Sequence, residues 1–136
     1  MKAMFKERLK KLEESLNLLK EFYNNYKLED VKKDKILQWA LKYGIYLWFT
    51  GVGEVACGVV DEKKLGNAKN YKECIAILGD NNILNKFLAE KLISIIGIRD
   101  LLKRPFIEID LEKLYTLIEK EEIYQDFITS LKDKLK

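Results

Sequence analysis

Two arginines, Arg99 and Arg104, stand out among the side chains of this 136-residue sequence that could carry chemistry. Only three of the 25 basic residues are arginine, and these two lie within six positions of each other. Arginine presents a planar fork of donors that fits phosphate and carboxylate groups better than a lysine ammonium does. The segment that contains them is therefore the first candidate for binding an anionic group.

Histidine is absent from the whole chain, which limits the chemistry that the chain can perform. Histidine is the one side chain whose unperturbed pKa lies near physiological pH. Its absence excludes histidine general bases, Ser–His and Cys–His nucleophile pairs, and metal sites that need imidazole ligands. Catalysis would have to use carboxylates, Lys, Arg, Tyr or Cys, and we expect neither a metal ion nor another cofactor.

The two cysteines predict no zinc site and no disulfide framework. Cys57 and Cys74 are 17 positions apart, without a CxxC motif and without further cysteines. Free cysteine is among the most often buried residue types. We therefore expect two reduced, packed thiols in a cytoplasmic protein.

Helices must position these side chains, because the composition favours an all-α protein. The chain has one proline, little glycine outside residues 44–58, and long runs of Leu, Lys, Glu and Ile. We predict a single domain over residues 1–136, with about five helices near residues 2–26, 31–60, 71–79, 83–103 and 111–131. The predicted N-caps are Asp30, Asn70 and Asp110, with Gly79 ending the third helix and Pro105 stopping the fourth.

The first helix carries one continuous apolar seam. Its members follow alternating spacings of four and three: Phe5, Leu9, Leu12, Leu16, Leu19, Tyr23 and Tyr26. Such a seam could form a dimer zipper or pack inside a bundle. We favour packing inside the bundle, because heptad runs of this length are common there.

Residues 43–60 approach the length of a membrane span and contain one charged residue, Glu54. Four glycines, this carboxylate and the lack of a basic flank argue for a helix buried in the bundle, and we expect no membrane span. A buried carboxylate is a candidate general base near neutral pH. The alternative is that Glu54 pairs with Arg99 or Lys42 to satisfy its charge.

Residues 95–110 resemble the signature of HepT-like proteins, a branch of the HEPN superfamily. In that family a Gly-aromatic-Arg-Asn-aliphatic-aliphatic-Val-His-x-Tyr run precedes Ile-Asp and a final helix. The matching positions are Gly97, Arg99, Leu101, Leu102, Ile109 and Asp110. The departures are Asp100 for Asn, Arg104 for His and Phe106 for Tyr. Shorter runs at 54–56, 70–73 and 82–84 also resemble the family, so the resemblance covers most of the chain.

The resemblance implies a helical homodimer in which the motif residues of both subunits meet in a cleft. Many such proteins are metal-independent endoribonucleases and serve as the toxin of a toxin–antitoxin pair. An MNT-type minimal nucleotidyltransferase neutralises them, in some pairs by adenylylating the motif Tyr. The resemblance therefore implies catalytic positions at Arg99, Asp100 and Arg104. It also implies phosphate or RNA binding by Arg99, Lys103 and Arg104.

The departures from the motif affect catalysis more than binding. Arg104 cannot accept the 2′-hydroxyl proton, because a guanidinium stays protonated at any usable pH. It can still bind a phosphate group. Asp100 is better suited to orienting Arg99 or capping the local backbone than to acting as a base, and Phe106 offers no phenol for adenylylation.

Three interpretations remain open. The first is a HepT-like toxin whose RNA cleavage is weak or lost. The second is a non-catalytic helical dimer that binds a nucleotidyltransferase partner, RNA or a nucleotide phosphate through a cleft at Arg99 and Arg104. The third is a helical bundle in which the two arginines form structural ion pairs only.

Overall fold

A computed structural model describes residues 3–104 and 106–135, and within these residues the chain is all-helical. The eight described helices are α1 (Ala3–Asn25), α2 (Leu28–Lys33), α3 (Lys35–Glu62), α4 (Tyr71–Asp80), α5 (Lys86–Ile96), α6 (Ile98–Leu102), α7 (Leu111–Ile118) and α8 (Glu121–Lys134). The all-α prediction is confirmed. The second and fourth predicted helices each break into two, at residue 34 and at residue 97. The fifth divides into α7 and α8 at residues 119–120, inside the charged run 119–122 that interrupts its apolar pattern in the sequence.

The long helix α3 begins after Asp34, not after Asp30 as predicted. The Asp34 Oδ1 atom accepts hydrogen bonds from the amides of Ile36 at 2.8 Å and Leu37 at 3.4 Å. Asp30 lies inside α2, where its carboxylate accepts the Lys27 amide at 2.8 Å. The prediction was wrong because it joined Val31 to the apolar run that begins at Ile36, across four charged residues, and α2 is too short to show a period of its own.

Two other predicted N-caps are confirmed. Asn70 Oδ1 accepts the Glu73 amide at 2.9 Å, and Asp110 Oδ1 accepts the Glu112 amide at 3.0 Å. Gly79, in contrast, does not end α4: it is buried inside the helix, where an added Cβ would meet Ala89 of α5 at 3.0 Å. The left-handed residue after α4 is Asn82, with φ 59°. Pro105 lies outside the described residues.

Helix α3 is the centre of the bundle and packs against α1, α2, α4, α6 and α7. Its own large aromatic residues contact Tyr124 of α8 in the core: the Trp48 ring is 5.1 Å from Tyr124, and Phe49 meets Tyr124 edge-on at 5.7 Å. The four leucines of the α1 seam are buried, with Leu12 over Gly51 and Leu19 over Gly44 of α3. The predicted packing inside the bundle is confirmed for these leucines, whereas Tyr26 lies beyond the end of α1 and is 38% exposed.

Among the described residues, α3 is also the one helix that is long and apolar enough to cross a membrane, judged by length and composition alone. Half of its most apolar 18-residue stretch is buried inside the protein. Five neighbouring helices cover that half. Part of the apolar composition of α3 is therefore explained by its position at the centre of the core.

A disulfide bond between Cys57 and Cys74 joins α3 to α4. The prediction of two reduced thiols is wrong. The eight residues from 63 to 70 turn the chain back, so that the first turns of α4 lie against the last turns of α3, with the two Cα atoms 5.1 Å apart. Spacing along the sequence could not reveal this pairing, because it depends on how the two helices pack.

Candidate functional site

The two motif arginines lie at and just after the short helix α6, which packs on α3. Arg99 is in the first turn of α6, whereas Arg104 is exposed in the turn that follows, where its amide donates to the Leu101 carbonyl at 3.1 Å. Gly97 precedes α6 and lies beside Lys72, whose Nζ is 3.4 Å from the place of an added Cβ. The segment thus brings cations of α4 and α6 to one region.

The Arg99 guanidinium is held in a fixed orientation by polar contacts. Its Nε donates to Thr50 Oγ1 of α3 at 2.9 Å, and one terminal nitrogen donates to Asp100 Oδ1 at 3.2 Å. The Arg99 side chain is only 19% exposed. A guanidinium held in this way loses little conformational freedom when it binds a phosphate oxygen.

Two aromatic rings flank the same guanidinium. The Arg99 Cζ atom lies 4.7 Å from the Tyr71 ring centre and 5.6 Å from that of Tyr46, both within the range of cation–π attraction. The Tyr71 ring occupies the space beside Gly53, which leaves no room for any side chain at that position of α3. Because Gly53 has no side chain, the Tyr71 ring can pack against α3 and reach Arg99.

The Tyr71 hydroxyl connects this cluster to Glu54. It donates to Glu54 Oε2 at 2.9 Å. Burial raises the pKa of Tyr71, and the hydrogen bond to Glu54 raises this pKa further. Tyr71 is therefore neutral at pH 7 and acts as a donor, and the chain of contacts Thr50–Arg99–Tyr71–Glu54 spans α3, α4 and α6.

Glu54 itself is exposed, so the expectation of a buried carboxylate is wrong. Positions 43, 47 and 54 share one face of a 3.6-residue helix, and that face of α3 points away from the core. Within residues 3–104 and 106–135, neither Arg99 nor Lys42 pairs with Glu54, and its partner is Tyr71. The sequence does not mark this face as exposed, because Tyr43 and Leu47 are as apolar as the core residues of α3.

Asp100 lies between two of the predicted cations. Its Oδ1 atom accepts the hydrogen bond from Arg99 and is 3.9 Å from the Lys103 Nζ. This geometry suits an orienting group, because the carboxylate already contacts both positive charges. Phe106 is fully exposed after α6, at φ 65°, and has no hydroxyl group.

Two clefts open on either side of Arg99. The α3 cleft, of about 580 Å³, is lined by Trp39, Lys42, Tyr43, Tyr46, Leu102 and Lys103. The α4 cleft, of about 520 Å³, is lined by Lys69, Asn70, Tyr71, Lys72, Ile96, Gly97, Arg99 and Asp100. Sequence reasoning did not select Tyr46, Thr50, Lys69, Tyr71 or Lys72 as site residues. The one available signal was the run 70–73, which resembles a helix start in the HepT-like family.

Chemically, the arrangement is suited to binding an anion. The carboxylates that could accept a proton here, Glu54 and Asp100, each already accept a hydrogen bond. Among the described residues, no group of three or more Cys, Asp or Glu side chains is placed to hold a metal ion. The motif segment supplies Arg99, Lys103 and the exposed Arg104, and Lys72 of α4 adds a positive charge from the other side of the α4 cleft.

A family model described as "Ribonuclease HepT-like" matches residues 12–132. The match includes α6, the turn after it, and both helices that hold Arg99 in place. No curated protein sequence matches the chain at a significant level.

Solved structures share the fold over nearly the whole chain. A tri-AMPylated HEPN toxin from Shewanella oneidensis, in complex with MNT antitoxin, has 16% identity and a TM-score of 0.86, covering 98% of this chain and 99% of that chain. A toxin–antitoxin with AMP-PNP has 16% identity and a TM-score of 0.84, covering 97% and 98%. YutE from Bacillus subtilis, a cytosolic protein of unknown function, has 20% identity and a TM-score of 0.83, covering 97% and 88%. At these identities the likeness establishes the fold.

Proposed function

The chain belongs to the HepT-like family, and from this premise we propose that it is the HepT component of a toxin–antitoxin module, an RNA-binding dimer whose RNA cleavage is weak or lost. The observation that carries the proposal is the fixed guanidinium of Arg99. It is oriented by Thr50 and Asp100, and Lys103 lies near the same Asp100 oxygen. Arg104 follows in the exposed turn after α6. An oriented guanidinium with two further cations on the same short segment is suited to the phosphate groups of RNA.

Weak or absent cleavage follows from the residue at position 104. Metal-independent cleavage needs a group that removes the 2′-hydroxyl proton and a group that protonates the leaving oxygen. Arg104 can stabilise negative charge on the phosphate, but it cannot accept a proton. Phosphate binding at this position therefore survives the replacement of histidine better than catalysis does.

The dimer is supported by the outer face of α3. This outer stripe consists of Ile36, Trp39, Tyr43 and Leu47, which are 71%, 69%, 62% and 44% exposed. Their spacing of three, four and four places them on one side of the helix. Large exposed apolar patches of this kind mark interaction surfaces. Trp39 and Tyr43 also line the α3 cleft with Lys103, so a two-fold dimer on the stripe would bring both motif segments near its axis.

The proposed partner is an MNT-type nucleotidyltransferase. Two structures with the same fold are described as a HEPN toxin with MNT antitoxin and as a toxin–antitoxin with AMP-PNP. Phe106 excludes adenylylation at the motif position, so the partner would neutralise this chain by binding it. The proposal places the pair in the cytoplasm and requires no cofactor.

A histidine restored at position 104 tests the proposal. We expect the unmodified chain to bind single-stranded RNA and to cleave it slowly or not at all in EDTA, and Arg104→His to raise the cleavage rate at least tenfold, within the usual contribution of general acid–base catalysis. Arg99→Ala should abolish both binding and the restored cleavage. Lys132→Ala, which removes a cation of α8 that pairs with Glu13 of α1, is the control and should change neither.

The outcomes separate the three interpretations. If RNA is bound but Arg104→His stays inactive, the chain is a binding module without cleavage. If Arg99→Ala lowers stability and leaves RNA binding unchanged, the arginine is a structural ion-pair residue. If no RNA is retained at low salt, the proposed function is wrong.

A further inference from the structure

We propose that the α4 cleft is a second phosphate subsite, which binds the phosphodiester next to the one held at Arg99 and Arg104 on the same RNA strand. The inference rests on the proposed function and adds Lys69 and Lys72 to the residues that bind RNA. Neither lysine belongs to the motif segment. Lys69 lies at the end of the connection before α4 and Lys72 in the first turn of α4, and both line the cleft opposite the α6 motif.

The cations of this cleft come from two sides. Lys69 and Lys72 lie on the α4 side and Arg99 on the α6 side, so three positive groups line about 520 Å³ of space. Both lysines are exposed, and neither forms an ion pair within residues 3–104 and 106–135. Because Gly97 has no side chain, the Lys72 ammonium lies close to the backbone at the start of α6. The positive end of the ten-residue helix α4 adds to the field of these groups.

The acidic groups near this cleft are already engaged. Asp100 contacts Arg99 and Lys103 through the same oxygen. Glu73 accepts the Lys69 amide at 3.1 Å and the Asn70 side-chain amide at 3.4 Å. Their negative charges are directed at local donors, which leaves the two lysine ammonium groups to determine what enters the cleft.

Arg99 connects this cleft to the motif site. Its guanidinium lies over Tyr71, which lines the α4 cleft, and over Tyr46, which lines the α3 cleft with Lys103. A strand that passes Arg99 therefore meets cations on both sides. This continuity favours adjacent phosphates of one RNA strand over an isolated anion.

The test is RNA binding by the full chain at several salt concentrations. The probe is a fluorescent ten-nucleotide uridine RNA. The variants are the double variant Lys69→Ala/Lys72→Ala and the single variant Lys72→Arg. The matched control is Lys91→Ala, because Lys91 lies over the Phe87 ring on α5, away from the cleft. We expect the double variant to bind about tenfold more weakly, and the slope of log affinity against log salt to fall by about 0.7, the value for one lost phosphate contact on single-stranded RNA. Lys72→Arg should keep most of the affinity, and Lys91→Ala should change it less than twofold.

A second arm uses uridine 5′-monophosphate as a competitor. If the double variant loses affinity for the mononucleotide and keeps its affinity for RNA, the cleft is a nucleotide site and the RNA subsite is wrong. If Arg99→Ala weakens RNA binding while the double variant matches the unmodified chain in affinity and slope, the subsite fails and the proposed function stands. If the unmodified chain binds no RNA, both fail. Melting curves of each variant check that the fold is intact, as the exposure of both lysines leads us to expect.

Discussion

Helix α3 is apolar on two faces, yet only one of them is buried. The inner face carries Trp48, Phe49 and Val52, which are completely covered by neighbouring helices. The outer stripe is built from residues of the same kind and is largely exposed, and it continues along the helix to Thr50 and Glu54, which hold Arg99 and Tyr71. Apolar composition therefore predicts that a helix face contacts another surface, but it does not identify that surface. The inner face packs in the core of the fold, and the outer face ends at the candidate site.

The largest expected difference between the faces is in folding stability. Phe49→Ala on the inner face should lower the free energy of unfolding by about 3–5 kcal/mol, because it leaves a cavity beside Tyr124. Tyr43→Ala on the outer stripe should change it by less than about 0.5 kcal/mol. Urea denaturation of the monomer at low concentration measures both. Equal losses would show that the two faces contribute alike to the fold.

A smaller loss of folding stability is expected at alkaline pH. It comes from Tyr124 of α8, which packs against the inner face of α3. Burial raises the pKa of Tyr124 well above its ordinary value, and its hydroxyl donates to the Leu117 carbonyl at 2.7 Å. Above about pH 10 the unfolded chain loses this proton while the folded chain keeps it, so the free energy of unfolding should decrease by about 1.4 kcal/mol per pH unit. Tyr124→Phe should remove the contribution of this hydroxyl to the decrease of the free energy of unfolding with pH. Denaturation curves at pH 9, 10 and 11 would contradict the assignment if both proteins lost stability in parallel.

The smallest effect on folding is expected at Trp39 of the outer stripe, where the effect on association should be clear. Trp39→Ser should change the free energy of unfolding of the monomer by less than about 0.5 kcal/mol and weaken self-association at least tenfold, measured by sedimentation equilibrium. Phe87→Ser on α5 is the matched control, since Phe87 is 66% exposed and Trp39 69%. If both variants, or neither, altered association, the outer stripe would not be the dimer surface.

The same contrast explains how much of the fold the sequence predicts. Apolar spacing locates the helices, and the side-chain caps Asn70 and Asp110 are confirmed, because both features are local. The break at residue 97 escapes prediction, since apolar residues continue on both sides of it. The break at residue 34 was missed although the charged residues 32–35 interrupt the apolar pattern there. The burial predicted for Glu54 failed because the outer face of α3 is as apolar as the inner one.

The candidate site is predictable to the extent that it lies in one segment. Arg99, Lys103 and Arg104 are found from their types and spacing, and Asp100 lies against two of them. Thr50 and Tyr71 escape prediction because they are 49 and 28 positions from Arg99 along the chain and meet it only when α3, α4 and α6 pack together. Side-chain contacts between helices are determined by tertiary packing, which a single sequence does not display.

The disulfide of α3 and α4 also has a consequence for the covalent connectivity of the molecule. The exposed connection at 63–70 lies entirely between Cys57 and Cys74, and it contains Lys63, Lys64 and Lys69. A protease that cuts after one of these lysines would leave a nicked chain whose two fragments stay linked until the bond is reduced. One fragment would then contain Thr50 and Glu54, and the other Tyr71 and Arg99. The single sulfur–sulfur bond would keep both halves of the site in one molecule although the backbone is cut.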